Sequence, residues 1–162
     1  MKRFRPTMFI IVFLLVIVDQ LSKWLADTRL AFHVEEPVIP FFSLFLTYNK
    51  GVAFSFLSWV GNSGLIILTI LILAGIYWLW RKVPLDKQLA HLGFAFVFAG
   101  AIGNLIDRMT RGQVVDFFLF HTENWAFAVF NAADAFITIG AIAIVIDELF
   151  SRRDTPPETQ QE

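Results

Sequence analysis

Two aspartates in this chain stand apart from every cation in their own neighbourhood. Asp116 lies in Val114-Val115-Asp116-Phe117-Phe118, and Asp134 lies among Ala132, Ala133, Ala135 and Phe136. An acid in apolar surroundings is driven toward its neutral form, which raises its pKa. Two such acids placed together cannot both ionise easily. They share a proton, so one can act as base and the other as acid. That chemistry activates water and protonates a leaving amine. The same residue types serve as often in a proton or ion relay, and nothing local in the chain brings the two acids together. Asn131 precedes Asp134 by three residues and shares its helix face. There it could orient a water or donate to an oxyanion.

Other polar residues sit inside otherwise apolar stretches. Asp19 and Lys23 are spaced i, i+4 and can pair on one helix face. Lys23 reads as half of a structural ion pair, while Asp19 reads equally as structure or as support for a site. Asn104, Asp107 and Arg108 also share one face. Asp107 reads as a polar helix cap, and the deeper Asn104 as a hydrogen-bonding residue within the bundle. Arg108 could neutralise Asp107, or hold another carboxylate or a lipid phosphate.

Several chemistries fall away. The chain has no cysteine, which removes disulfides, Cys-ligated zinc, iron–sulfur clusters and thiol nucleophiles together. His33, His91 and His121 do not form HExxH or any two-histidine spacing, so no zinc protease is expected. Ser22 and Lys23 are adjacent and point apart, and Ser55 and Ser58 have no local base. Gly100-Ala101-Ile102-Gly103 reads as small residues allowing close helix packing, as do Gly140, Ala141 and Ala143. With 13 basic and 14 acidic residues, the net charge of −1 excludes a strongly basic nucleic-acid binder.

The elements that must carry these residues are membrane spans. Of 162 residues, 57% are hydrophobic and 17% charged, against about 45–50% and ~25% in soluble domains. The excess is concentrated in four blocks, residues 7–26, 64–80, 89–106 and 131–150. Each approaches the ~20 residues that cross a bilayer as a helix. The expected fold is an all-α polytopic membrane protein with four transmembrane helices and a small strand-like outer segment. Residues 1–153 form one domain, and the polar tail 154–162 is expected to be disordered.

The first block follows Lys2, Arg3 and Arg5 but lacks a convincing cleavage site, so it reads as an uncleaved first helix. Lys2, Arg3, Arg5, Arg81, Lys82, Lys87, Arg152 and Arg153 collect at one set of span ends. Positive-inside then places both termini in the cytoplasm. Between the first two spans, residues 38–46 are aromatic and partly alternating, as in a strand. Residues 113–120 and 125–130 are apolar but too short to cross. On this topology Asp19, Gln20, Lys23, Asn49, Gly51, Asn104, Asp107, Arg108, Asp116, Asn131 and Asp134 all gather at the outer face.

Three classes fit such a cluster: an intramembrane aspartic peptidase, a proton-linked transporter using Asp19, Asp116 and Asp134, and a scaffold in which the acids merely pair with Lys23 and Arg108. A transporter should hold its acids near the midplane and usually shows repeat symmetry. Here they gather toward one face and no internal repeat is visible.

Five stretches in order resemble the lipoprotein signal peptidase family (signal peptidase II), the aspartic peptidases of bacterial membranes. They are Asp19-Gln20-Leu21-Ser22-Lys23, Asn49-Lys50-Gly51-Val52-Ala53-Phe54-Ser55, Gly103-Asn104-Leu105-Ile106-Asp107-Arg108, Val114-Val115-Asp116-Phe117 and Phe130-Asn131-Ala132-Ala133-Asp134-Ala135-Phe136-Ile137. The resemblance runs from the first span to about Phe150. It implies that Asp116 and Asp134 are the catalytic dyad. It implies that Asn104, Arg108 and Asn131 line the site, and that Asp19, Asn49, Gly51 and Ala53 support it or touch substrate, with Lys23 and Asp107 in the same supporting set.

The family removes the signal peptide from diacylglyceryl-modified prolipoproteins, cutting just before the lipidated cysteine at the outer face of the bacterial cytoplasmic membrane. It needs no metal or other cofactor and is the target of globomycin-type cyclic peptides. Lipidated prolipoproteins and membrane lipids are therefore the implied partners, with no nucleic acid among them. Residues 37–56 are expected to cover the substrate from above.

Overall fold

A computed structural model describes residues 6–51, 61–122 and 125–151 of the chain. Ala53, the basic N-terminal residues and the tail 154–162 lie outside the described residues.

The four apolar blocks are helices: α1 (Pro6–Arg29), α2 (Gly61–Trp80), α3 (Gln88–Arg111) and α4 (Ala132–Ser151). Three run further than their apolar blocks: α1 past residue 26, α3 past residue 106, and α2 from residue 61 in place of 64. An apolar run marks what lipid tolerates, whereas helical hydrogen bonding continues until something stops it. For α3 the stop is Gly112, whose φ of 73° is a left-handed cap that suits glycine.

Among the described residues, three helices (α1, α2 and α3) are long and apolar enough to cross a membrane. Helix α4 has similar length but carries Asp134, Asp147 and Glu148. Much of α2 faces outward, with Ile67, Ile70, Leu71 and Ile72 exposed. Such a surface is a liability in water and costs nothing against lipid.

Helix α3 packs against each of the other three. Its contact with α4 is close because both helices place glycine at the crossing. A Cβ on Gly93 would lie 2.7 Å from the Gly140 carbonyl oxygen, and one on Gly140 would lie 2.5 Å from that of Gly93. Of the small residues singled out in the sequence, Gly100, Gly103 and Gly140 lie against a facing helix with no room for a side chain, while Ala141 is exposed. Met8, Val12, Trp80, Ala95 and Ala99 form the buried core between α1, α2 and α3. Trp80 also donates to Nδ1 of the buried His91, at 2.8 Å.

A four-stranded antiparallel sheet covers one end of the bundle. Its order is β1 (Glu35–Ile39), β2 (Phe42–Asn49), β3 (Val114–Thr122), β4 (Trp125–Ala126). Of the aromatic, alternating segment 38–46, residues 38–39 end β1 and residues 42–46 lie in β2, with Pro40 and Phe41 forming the turn of the hairpin between them. Gly112 turns the chain out of α3 and directly into β3. After β4 the chain doubles back, and Phe130 pairs with Phe118 of β3 through backbone hydrogen bonds of 2.8 and 3.0 Å. That return sets Asn131 and the start of α4 beside β3. Ala26, Leu46, Val115 and Phe117 are buried where the sheet meets α1.

Candidate active site

The polar residues of α1, α3, β3 and α4 meet where the sheet caps the bundle. At the base is an ionic cluster. Lys23 Nζ lies 3.0 Å from Asp19 Oδ2 and 3.0 Å from Asp107 Oδ2, and donates to Asn104 Oδ1 at 2.9 Å. Three partners saturate the three N–H groups of an ammonium. The side chains of Asp19, Lys23 and Asp107 have no exposed surface. Charges buried this deeply persist only when paired and hydrogen-bonded. Gln20 Nε2 closes the cluster, reaching Asp19 Oδ2 at 3.1 Å, the Gly103 carbonyl oxygen at 3.1 Å and Asp107 Oδ1 at 3.3 Å.

Each carboxylate of this cluster also holds another element. Asp19 Oδ1 accepts the backbone N–H of Ala133 at 2.9 Å, in the first turn of α4. An anion there is favoured by the open N–H groups and the helix dipole. Asp107 Oδ2 accepts the backbone N–H of Val115 at 3.2 Å, one residue before Asp116. The ion cluster therefore grips the two chain segments that carry Asp134 and Asp116. This differs from the expectation for Asp107. It is not a helix cap, because its oxygens are taken by Lys23 and by the Val115 N–H of β3.

Above the cluster, three asparagines connect the two remaining acids. Asn104 Oδ1 faces the Lys23 ammonium, which can only donate, so Nδ2 must point the other way. It donates to Asp134 Oδ1 at 2.8 Å. Asn131 is the N-cap of α4. Its Oδ1 accepts the Asp134 backbone N–H at 3.0 Å, and its own N–H reaches Asp134 Oδ2 at 3.3 Å. This is the reciprocal capping-box arrangement, with Asp in the place of Glu. With Oδ1 committed, Asn131 Nδ2 donates to Asp116 Oδ1 at 2.6 Å. Asn49 repeats the logic: Oδ1 accepts the Gly51 N–H at 2.8 Å, and Nδ2 donates to Asp116 Oδ2 at 3.0 Å. Gly51 has φ 92° and is buried against Leu65, a position that excludes a side chain.

Among the described residues no buried side-chain nitrogen or oxygen lacks a partner, so the network is closed. A closed network specifies one geometry. Asp116 is 2% exposed. Burial pushes its carboxyl up from the usual carboxylate range to about 6, although Asn49 and Asn131 oppose the rise and the Asp134 charge adds to it. Asp134 is half-buried and borders a groove of about 440 Å³ walled by Phe120, Trp125, Phe127, Phe130 and Ile139. One acid is thus sheltered and its neighbour faces an apolar groove.

Arg108 does not pair with Asp107, because Lys23 already holds that acid. Its Nη1 donates to the Asn104 carbonyl oxygen of its own helix at 3.3 Å, with Asp134 and Asp116 within electrostatic reach. Eight of the expected residues are thereby joined in one network: Asp19, Lys23, Asn49, Asn104, Asp107, Asp116, Asn131 and Asp134. Gly51 supports Asn49, and Ala53 lies outside the described residues. The sequence reading missed Gln20 as a site residue, although it stands beside Asp19. It also missed the backbone N–H groups of Ala133 and Val115, which leave no residue-type signal.

Comparison with known proteins identifies the family. The family model described as "Signal peptidase (SPase) II" matches residues 11–150. The chain is 47% identical over 148 residues to a lipoprotein signal peptidase of Sinorhizobium fredii, covering 91% of this chain and 88% of that one. It is 49% identical over 139 residues to one of Allorhizobium ampelinum, covering 86% and 85%. A solved structure of a bacterial membrane enzyme, obtained by the in meso method at 2.3 Å, superposes with a TM-score of 0.81 at 33% identity. That match covers 99% of this chain and 96% of the other. The chain is a membrane-embedded protease, and it belongs to the signal peptidase II family.

Proposed function

We propose that this peptidase removes the signal peptide from diacylglyceryl-modified prolipoproteins, cutting before the lipidated cysteine with Asp116 and Asp134 as its dyad. The observation that carries the dyad is Asn131. One amide side chain donates to Asp116 and accepts from the Asp134 backbone, so both acids are held in one constellation.

In this reading the dyad shares one proton across the two acids. The ionised carboxylate takes a proton from a water, whose oxygen attacks the scissile carbonyl carbon. The protonated carboxyl then gives its proton to the amide nitrogen as the C–N bond breaks. The products are the free carboxylate of the signal peptide and the free amine of the cysteine. Arg108, within reach of both charges, stabilises the oxyanion or orients substrate. The apolar groove beside Asp134 receives the acyl chains or the apolar signal sequence, and globomycin-type cyclic peptides compete there.

Helix α4 is the fourth span. Its acids lie in its first turn and near its last, Asp147 and Glu148, and residues 135–146 between them are uncharged. Lys87 faces the two distal acids at 3.6 and 3.7 Å. The Lys and Arg asymmetry then puts both termini in the cytoplasm and the sheet with the dyad at the outer leaflet of the cytoplasmic membrane. A lipid-anchored substrate reaches that level by lateral movement, and residues 37–51 cover it.

The test is cleavage of a diacylglyceryl-modified lipobox precursor by purified protein in detergent, beside Asp116→Asn and Asp134→Asn. Cleavage before the modified cysteine, abolished by either change in a folded protein, is the expected result. Turnover surviving either change would mean that the dyad is misassigned.

A further inference from the structure

The site end of β2 is held from outside the sheet. Tyr48 Oη donates to Asp27 Oδ1 at 2.6 Å, and Arg111 Nη1 donates to Asp27 Oδ2 at 2.8 Å. Asp27 is in the last turn of α1, Arg111 is the last residue of α3, and Tyr48 directly precedes Asn49. Both carboxylate oxygens of Asp27 are thereby used, and three elements meet at one group. The Asp27 carboxylate holds the Tyr48 phenol above its ordinary range, so the hydroxyl stays a donor at any working pH.

The ladder between β2 and β3 does not fix this end by itself. Pairing is irregular between Leu44 and Thr47, and resumes only for Thr47, Tyr48 and Asn49 against Asp116, Val115 and Val114. A bulge of this kind uncouples the register on its two sides. Thr47 and Asn49 lie on the same face as Asp116, while Tyr48 points the other way, toward Asp27. The strand thus presents Asn49 to the site on one face and is anchored through Tyr48 on the other.

We propose that Tyr48, Asp27 and Arg111 form a positioning latch for the dyad, acting through Asn49 on Asp116. This rests on the dyad reading above. With the latch closed, Asn49 Nδ2 stays 3.0 Å from Asp116 Oδ2 and favours the ionised carboxylate. With it open, Asn49 drifts, that donation weakens and the Asp116 pKa rises.

The test is a double-mutant cycle between Tyr48→Phe and Asn49→Ala, read as kcat/KM across pH on a lipidated precursor in detergent. Tyr48→Phe keeps the ring and removes the donor. The expected loss is about fivefold, one hydrogen bond's worth, with the limb governed by Asp116 moved to higher pH. In the Asn49→Ala background the same change should cost nothing further.

An equal loss in both backgrounds, no loss in either, or an unmoved limb would overturn the latch. Asp27→Asn keeps an oxygen for Tyr48 and removes the charge facing Arg111. It decides the matter through the same cycle if Tyr48→Phe fails to fold. Asp116→Asn separates the two readings: if it retains turnover the dyad fails, whereas a failed latch leaves Asp116→Asn inactive.

Discussion

Asn131 Nδ2 lies 2.6 Å from Asp116 Oδ1, and the residue making that bond is also the N-cap of α4. One side chain therefore starts the helix that carries Asp134 and orients the other acid. On the proposed dyad, stability and activity would meet in it and can be separated by substitution. Asn131→Ser keeps a capping oxygen but is too short to reach Asp116. It should lower the thermal midpoint little and reduce turnover by about 100-fold or more. Asn131→Ala should add a stability loss of about 1 kcal/mol. Thermal unfolding and precursor cleavage on the same preparations check both.

The raised pKa of Asp116 makes stability depend on pH. Its folded-state value of about 6 lies above the ordinary 3.8, so the folded protein holds the proton more tightly than the unfolded chain. The stabilisation is complete below about pH 4 and is lost as pH rises through about 6. The total is on the order of 3 kcal/mol. Asp116→Asn should flatten this part of the profile. Unfolding midpoints in detergent between pH 4 and 7.5, for wild type and variant, measure it. A wild-type profile that rises over this window would contradict the sign.

Lys23 is expected to be the most costly single loss in the ionic cluster. Lys23→Met leaves Asp19 and Asp107 facing each other, buried and without a cation. Breaking a buried pair in this way costs about 3–5 kcal/mol. The grip on Ala133 and Val115 should loosen with it. Hydrogen exchange should then speed up at the start of α4 and of β3, ahead of the centres of α1 and α3.

Gly103 should be intolerant of a methyl group for a reason specific to the site. A Cβ there would lie 2.9 Å from Asp19 Cγ, and closer still to Asp19 Oδ2. Gly103→Ala should cost about 1–3 kcal/mol and reduce turnover by displacing the Ala133 contact. At Gly75 in α2, an added methyl group would meet nothing within 4 Å. Gly75→Ala should leave unfolding and cleavage unchanged, and so serves as the matched control.

Much was legible from residue types and spacing. The four apolar blocks became four helices because a run of about 20 apolar residues has few other ways to satisfy its backbone in lipid. The Asp19–Lys23 pair followed from i, i+4 spacing. The aromatic, alternating residues 42–46 paired as strand, while Pro40 and Phe41 turned the chain between β1 and β2. Asp116 and Asp134 stood out because an acid without a nearby cation is costly in apolar surroundings. These are local properties, carried by a few consecutive residues or by one helical turn.

What depended on tertiary structure is every bond between distant segments. Asp107 reads as a helix cap in the sequence, but β3 folds over it and Lys23 claims it. The joining of Asp116 to Asp134 through Asn131 depends on the return of Phe130 along β3. The Ala133 N–H became part of the site because Gly100 and Gly103 of α3 let α4 approach closely, and the Val115 N–H because Gly112 turns the chain from α3 into β3. Backbone donors carry no signature in residue type, and the long-range partner of a buried acid is chosen by packing. The chain by itself therefore named the acids and their membrane setting, and the closing of α4 and β3 over the Lys23 cluster decided how those acids are held.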